Sequence, residues 1–417
     1  MASYHKVEYK LSNIQGFLEL INSGKYNVIN EKYYSIKEYS TKLNEKYNIV
    51  RYSKDLLTAN LISSYGLLRS LVLSGSKVVS FAPPKSICAD NFIMKYPVKN
   101  DNIIAEEFVE GTMINVFFDP YNGLNGCWQI ATRNTVGAEV SFFKQSNDDS
   151  SNTFASMFAD ACIQNGLNIF TLNPSYCYSF VLQHPRNRIV VPFINAQLYL
   201  VAVYEIKQTE IDIVILEQDM NIVKYGGMWN ITKIKFPEMY EFKNYSELIE
   251  KYASANTPYN IVGVIIKNKD TGDRTKIRNP NYEEVRQLRG NQAKLQYQYL
   301  TLRRSGKIAE FLKYYPETKD QMSKFRDQVH MFTNTLHKNY ISCYVKKEKP
   351  LKEFSDQYRT HMFKIHEKYL KDLRPNKLFV TNTVVIKYVN ELPSSLLMYC
   401  LNYNMRKRMI DTIKMII

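Results

Sequence analysis

An α+β fold is predicted for this chain, with an antiparallel-sheet region first and an all-helical, basic region after it. Three observations carry the prediction. Up to about residue 290, short β-branched and aromatic runs alternate with turn residues, which is the pattern of strands in a sheet. Beyond it, long segments place apolar residues three and four apart, which is the pattern of amphipathic helices. The charge changes at the same point: residues 291–417 hold 24 Lys and Arg against 11 Asp and Glu, nearly all of the chain's net +15. With 417 residues the chain exceeds what one core fills, since single cores stop growing at about 250–300 residues. The predicted domains are therefore 61–290 and 291–417, preceded by a mainly helical extension over 1–60.

In chain order, the first sixty residues carry no readable motif, and their EKY and KEYS runs read as solvated helix faces. Strands are expected at LRSLVL (68–73), KVVSF (77–81), MINVFF (113–118), YCYSFVL (176–182), RIVVPF (188–193), LYLVAVYEI (198–206), IDIVIL (211–216) and VGVIIK (262–267). Helical windows interrupt them at 153–165 and 245–254. After Gly290, MSKFRDQVHMFTNTLHKNY and FSDQYRTHMFKIHEKYLKDL read as long helices. His330 and His337 share one face there, but with His361 and His366 they find no acidic or Cys partner at metal spacing and read as packed or solvated. GLNGC and DTGD are turn sequences without a strand and helix around a phosphate loop.

Several classes of function are excluded or disfavoured. The six cysteines form no C-x-x-C pair, so no zinc site is expected and a reducing compartment is the default. Neither a signal-length apolar run at the start nor a stretch of about 18 apolar residues occurs. A soluble intracellular protein without a membrane partner is the expectation. The excess charge of the last third is interleaved with tyrosines, in LQYQYLTLRRSGKIAEFLKYY and YNMRKRM. Lys and Arg neutralise phosphates and aromatic faces stack on bases, so RNA is the expected partner, held by Arg303, Arg304, Lys307, Arg406, Lys407 and Arg408. The competing explanation is a set of solvated helix faces that serve solubility alone.

The first 290 residues carry the chemistry. HPRNRIVV (184–191) precedes the apolar strand LYLVAVYE, and it includes Arg188. Upstream stand LLRSLVL with Arg69 and SFAPPKSI with Lys85; downstream stands NIVGVIIKNKDTGDRTKIRNPNY with Lys276 and Arg278; between them lies ATRNTVGA with Arg133. In this order, over roughly residues 65–290, the chain resembles the RNA ligase 1 family of T-even phages. The resemblance implies the nucleotidyltransferase fold shared by RNA and DNA ligases, an ATP or other nucleotide ligand, and Mg²⁺ if the chain is active. It also implies that Arg69, Lys85, Arg133, Arg188, Lys276 and Arg278 face phosphates, together with Glu110 and Gly111. Such a shell of cations suits a reaction in which charge develops on phosphate.

At the family's nucleophile the pattern departs. Where the family has Lys-x-Asp-Gly-Ser, this chain reads Phe108-Val109-Glu110-Gly111-Thr112, and phenylalanine cannot attack a phosphate. Two glutamate positions of the family are also changed, to Ser179 and Val262. The resemblance thus implies a ligase-like binder of an RNA end or nucleotide without lysyl-AMP chemistry. Three alternatives stay open. An active ligase would use a displaced nucleophile, Lys85 or Lys99, with Mg²⁺ among Glu106, Glu107 and Glu110; strand alternation would let only one of Glu106 and Glu107 enter the pocket. A reader of cap-like RNA ends would stack a base on Phe108. A structural or scaffolding protein would keep the fold for contacts with other viral, translation or RNA-processing proteins. The AT-rich residue usage and phage-like motifs fit a large DNA virus, hence a host cytoplasm, viral factory or virion.

Overall fold

The computed structural model describes residues 7–24, 26, 32–141 and 152–406. The chain is α+β and divides into two compact units between Arg286 and Gln287. The strands, in chain order, are β1 (Glu8–Lys10), β2 (Tyr34–Ser40), β3 (Lys46–Tyr52), β4 (Leu71–Ser74), β5 (Lys77–Ser80), β6 (Ile103–Glu107) and β7 (Thr112–Asp119). They continue as β8 (Cys127–Ala131), β9 (Tyr176–Gln183), β10 (Gln197–Gln208), β11 (Ile213–Glu217), β12 (Met239–Tyr240), β13 (Gly263–Asn268) and β14 (Arg274–Arg278). All belong to the first unit and form three antiparallel sheets. A six-stranded sheet has the order β1-β11-β10-β9-β7-β8, and two four-stranded sheets have the orders β12-β6-β13-β14 and β2-β3-β4-β5.

The six-stranded sheet is covered on both faces, which explains its nearly continuous apolar runs. One face meets the sheet β2-β3-β4-β5 and the helix Phe17–Ser23, through Tyr47, Ile49, Leu71, Phe117, Tyr204 and Phe17. The other meets the helix Phe154–Asn165, through Phe158, Ala161, Phe180 and Leu200. That helix starts where the Thr153 side chain caps the Ser156 amide and ends at Gly166 in the left-handed conformation, the residue types best suited to those positions. The sheet with β6, β13 and β14 packs its apolar side on the helices Ala89–Lys95 and Tyr245–Tyr252.

Two expectations fail here. The first sixty residues are not a helical extension: β2 and β3 build half of one sheet, and β1 pairs with β11. The YSIKEYS and KYNIVRY runs alternate aromatic or β-branched residues with polar ones, a two-residue period that the lysines and glutamates obscured. RIVVPF is not a strand either. A short turn at Pro185–Asn187 precedes it, and the Val190 and Val191 amides donate to the Glu110 carboxylate instead of to a neighbouring strand. Pro192, which lacks an amide, closes the run.

The second unit is helical over its described residues: Leu295–Ser305, Ile308–Tyr314, Lys319–Tyr340, Asp356–Lys368, Asn382–Glu391 and Ser394–Leu401. The long helix Lys319–Tyr340 buries Val329, Phe332 and Leu336 against helices that supply Met362, Ile365, Val385 and Val389. Emptying the Phe332 position would cost about 3–5 kcal/mol, as truncating a buried aromatic does elsewhere.

Candidate functional site

The alternating sequence Arg274-Thr275-Lys276-Ile277-Arg278 makes β14 a strand with three cations on one face, because successive side chains of a strand point to opposite sides. Thr275 and Ile277 face the other way, Thr275 donating to the Ile87 carbonyl and Ile277 packing into the apolar core. The three cations border a cavity of about 240 Å³ between this sheet and the six-stranded one. Its opposite wall is apolar, formed by Met113, Val181 and Val201. Two further cavities, of about 370 and 460 Å³, adjoin the same cations: Arg274 and Lys85 border the first, Lys85, Lys276 and Arg278 the second.

Arg69 borders the cavity between the sheets and is held by a 3.3 Å hydrogen bond from Nη1 to the Pro83 carbonyl. Lys85 Nζ donates to the Ser86 carbonyl at 2.8 Å. Arg133 is exposed, its guanidinium 5.4 Å from the Tyr52 ring centre. These groups act on one another. Burial, and then the charges of Arg274, Arg69, Arg278 and Lys85, push the Lys276 ammonium down to about 6. Burial and Arg274 bring Arg69 down to about 10. Lys85 is lowered by burial and by Arg69. Arg274 is nine-tenths buried and its Nε has no hydrogen-bond partner among the described residues. Burying a charge without a partner is costly, and the repulsion among these cations adds to that cost.

Phe108 lies where the chain passes from β6 to β7. It is half-buried and borders the cavity, with Lys276 Nζ 4.8 Å and the Arg278 guanidinium 5.6 Å from its ring centre. The ring thus meets the Arg278 guanidinium, an arrangement worth about 0.5–2 kcal/mol, and the Lys276 ammonium whenever that amine is protonated. Gly111, three residues on, has φ 149°, and a Cβ there would stand 2.5 Å from the Leu182 carbonyl oxygen. Gly111→Ala is expected to destabilise the first unit by about 1 kcal/mol or more, measured by urea denaturation; an unchanged midpoint would show that the crossing adjusts freely.

Some expected site residues are elsewhere. Glu110 is buried and does not border these cavities; its carboxylate accepts from the Val190 and Val191 amides at 2.8 and 3.1 Å. Arg188 donates from Nε to the Val190 carbonyl at 3.0 Å and is part of that same clamp. Lys99 does not line a cavity described here and rests 5.8 Å from the Phe242 ring centre, remote in contact from the cation cluster. Glu106 and Glu107 both border the cavity, against the expectation of only one, because four consecutive residues, 106–109, line it as the chain leaves the sheet. Glu106 forms a 2.7 Å ion pair with Lys267, and Glu107 accepts from the Glu238 amide at 3.3 Å. Among the described residues no three acidic, Cys or His side chains gather as metal ligands. This donor set does not fit an ion held by the protein alone. Ser179 is fully buried and donates to Asn115.

Two functional candidates escaped the sequence reading. Arg274 was signalled by the two-residue alternation with Lys276 and Arg278. Lys267, its ladder partner on β13, carried no local signal. In the second unit, Arg303 reaches the Asn390 side chain; Arg304 is exposed in the last turn of its helix, where a cation also suits the helix dipole, and Lys307 is exposed at the start of the next helix, Ile308–Tyr314. Arg406 lies over the Tyr399 ring. Lys407 and Arg408 lie outside the described residues.

No protein-family model matches the chain. Its sequence is similar to the immediate-early protein ICP-46 homolog of Invertebrate iridescent virus 6, 25% identical over 324 residues, covering 70% of this chain and 66% of that protein. Its structure is distantly similar to Naegleria gruberi RNA ligase with pyrophosphate, at 12% identity and a TM-score of 0.32, over 49% of this chain and 57% of the ligase. A structure of the same ligase with ATP and manganese gives 11% identity and a TM-score of 0.32, over 49% and 56%. The chain therefore spans little more than half of those ligase chains and just under two thirds of the viral relative.

Proposed function

We propose that the chain binds the phosphorylated end of an RNA, with the terminal phosphates among Arg69, Lys85, Arg274, Lys276 and Arg278 and the adjoining nucleoside against the apolar wall and Phe108. The observation that supports this reading most is the buried, unpartnered Arg274 Nε within a cluster of cations. A phosphate supplies the acceptors that such a group lacks, through charge-assisted hydrogen bonds. Phe108 offers a ring face where the resembled family has its nucleophile, so recognition without covalent transfer is the function assigned. Other proteins of a virus or of RNA processing remain partners to be sought by the same purified chain.

A second reading rests on Lys276. An amine held at about 6 is largely unprotonated at neutral pH, and it borders the cavity. Desolvation beside other cations is one way in which lysine nucleophiles are activated. Here Lys276, rather than Lys85 or Lys99, would attack an α-phosphorus, forming an N–P bond as pyrophosphate leaves.

One experiment separates the two. The protein is incubated with α-labelled ATP or GTP and Mg²⁺ or Mn²⁺ and run on a denaturing gel, and RNAs ending in 5′-triphosphate, 5′-monophosphate or 5′-hydroxyl are titrated in parallel. The recognition reading expects no labelled band and an affinity that falls in the order given. A band lost in Lys276→Met would establish the second reading, and equal affinity for the three ends would remove the first.

A further inference from the structure

The second unit has an aromatic and basic surface apart from the arginines singled out in its sequence. The helices Lys319–Tyr340 and Asp356–Lys368 each run on into a π turn, over Ile341–Val345 and Tyr369–Leu373. The turns bring three rings into one stack: Tyr344 lies on His366 with centres 3.9 Å apart and planes 13° apart, and Tyr369 continues it at 5.8 Å and 25°. Tyr340, buried beneath, places its hydroxyl 3.3 Å from His366 Nδ1 and fixes the stack to the helix. All three stacked residues are partly exposed. The hydrogen bond from the Leu378 amide to the Leu373 carbonyl folds the next segment back on the second turn and leaves Phe379 76% exposed beside it.

The segments that carry these rings are rich in cations. Segments 341–349 and 364–377 hold eight Lys and Arg against three Glu and Asp. Lys346 is 3.6 Å from Glu348, and Lys371 is 2.8 Å from Glu367. Lys347, Arg374 and Lys377 are exposed and make no ion pair among the described residues. Lys347 and Lys377 also share a left-handed backbone, with φ of 56° and 55°, which is costly away from glycine.

We infer that this end of the helical unit is a binding surface for single-stranded nucleic acid, whose bases extend the Tyr344–His366–Tyr369 stack while its phosphates lie along Lys346, Lys347, Lys349, Arg374 and Lys377. The pairing of ring faces with lysines selects unpaired strands, since in a duplex the base faces are already stacked. An acidic protein surface would use the lysines and leave the rings idle. The surface does not depend on the end recognition assigned to the first unit, because it contacts the interior of the strand.

The full chain is titrated with a fluorescent oligouridine of about 15 nucleotides carrying a 5′-hydroxyl, at several salt concentrations. The triple variant Lys346→Glu, Lys347→Glu, Lys349→Glu is expected to bind at least tenfold more weakly, with the log–log salt slope reduced by about 2. Tyr369→Leu and Tyr344→Leu should each weaken binding about fivefold or more with the slope unchanged, and the same RNA as a duplex should bind less well than the single strand. All three variants should keep the parent's relative preference among 5′ ends, which separates failure here from failure of the end-binding reading. The inference is overturned if a folded charge variant or a folded Tyr369→Leu keeps the parent's affinity, or if duplex and single strand bind equally. Should Tyr344→Leu not fold, the other two variants decide the matter alone.

Discussion

Arg274→Met is expected to make the ligand-free protein more stable while lowering its affinity for an RNA 5′-triphosphate at least tenfold. The two effects have one cause. In the free protein the guanidinium is buried among Arg69 and Lys276 and its Nε has no partner. Methionine is shorter but apolar, and replacing buried charged side chains by apolar ones is often neutral or stabilising by about 1–4 kcal/mol. The strand itself is not disturbed, since the Arg274 carbonyl still accepts from the Ile87 amide. In the complex the same side chain supplies charge-assisted hydrogen bonds worth about 1.5–3 kcal/mol, or roughly 10- to 100-fold in affinity. Urea denaturation and RNA anisotropy measure the two halves. A variant that is destabilised and binds normally would make Arg274 a structural residue and would deprive the anion site of its main support.

The second large effect is a proton. At pH 7 an amine held at about 6 is mostly neutral, and a phosphate beside it raises that value, so binding takes up close to one proton. The sign follows: the free value is the low one and the bound value the raised one. Affinity is therefore complete below about pH 6 and falls by up to about tenfold per pH unit as the pH rises toward the bound value. Calorimetry in buffers of different ionisation enthalpy counts the proton. Lys276→Arg should keep the affinity and lose most of the pH dependence, and the ligand's own titration, common to both proteins, cancels in the comparison. Equal pH profiles for parent and variant would mean that Lys276 does not meet the anion.

Much of the site was legible because its residues lie in runs with a clear period or a distinctive order. Arg69, Lys85, Lys276 and Arg278 were each found beside a recognisable strand or turn, and the structure brings them together. Where the reading failed, a local rule met a distant partner. Glu110 looked like a ligand residue, but the amides that occupy it lie eighty residues away in RIVVPF, a segment that looked like a strand for want of that same information. The N-terminal strands were hidden because lysines and glutamates suit exposed strand positions as well as exposed helical ones. The tyrosine stack of the second unit has no sequence signal at all: Tyr344, His366 and Tyr369 meet only because two helices end at the same level in turns of unusual width.

The pairing of β1 with β11 has a consequence for how the protein is made. Tyr9 lies opposite Ile215 and donates to Glu217, 208 residues along the chain. The turn that leads into β14 closes against the same tyrosine, since a Cβ on Gly272 would strike its ring and hydroxyl. β1 is synthesised 208 residues before Glu217, so it must wait, unpaired, until β11 has been made. The face that gathers the repelling cations is thus completed near the end of assembly, when the rest of the unit is already in place to hold them together.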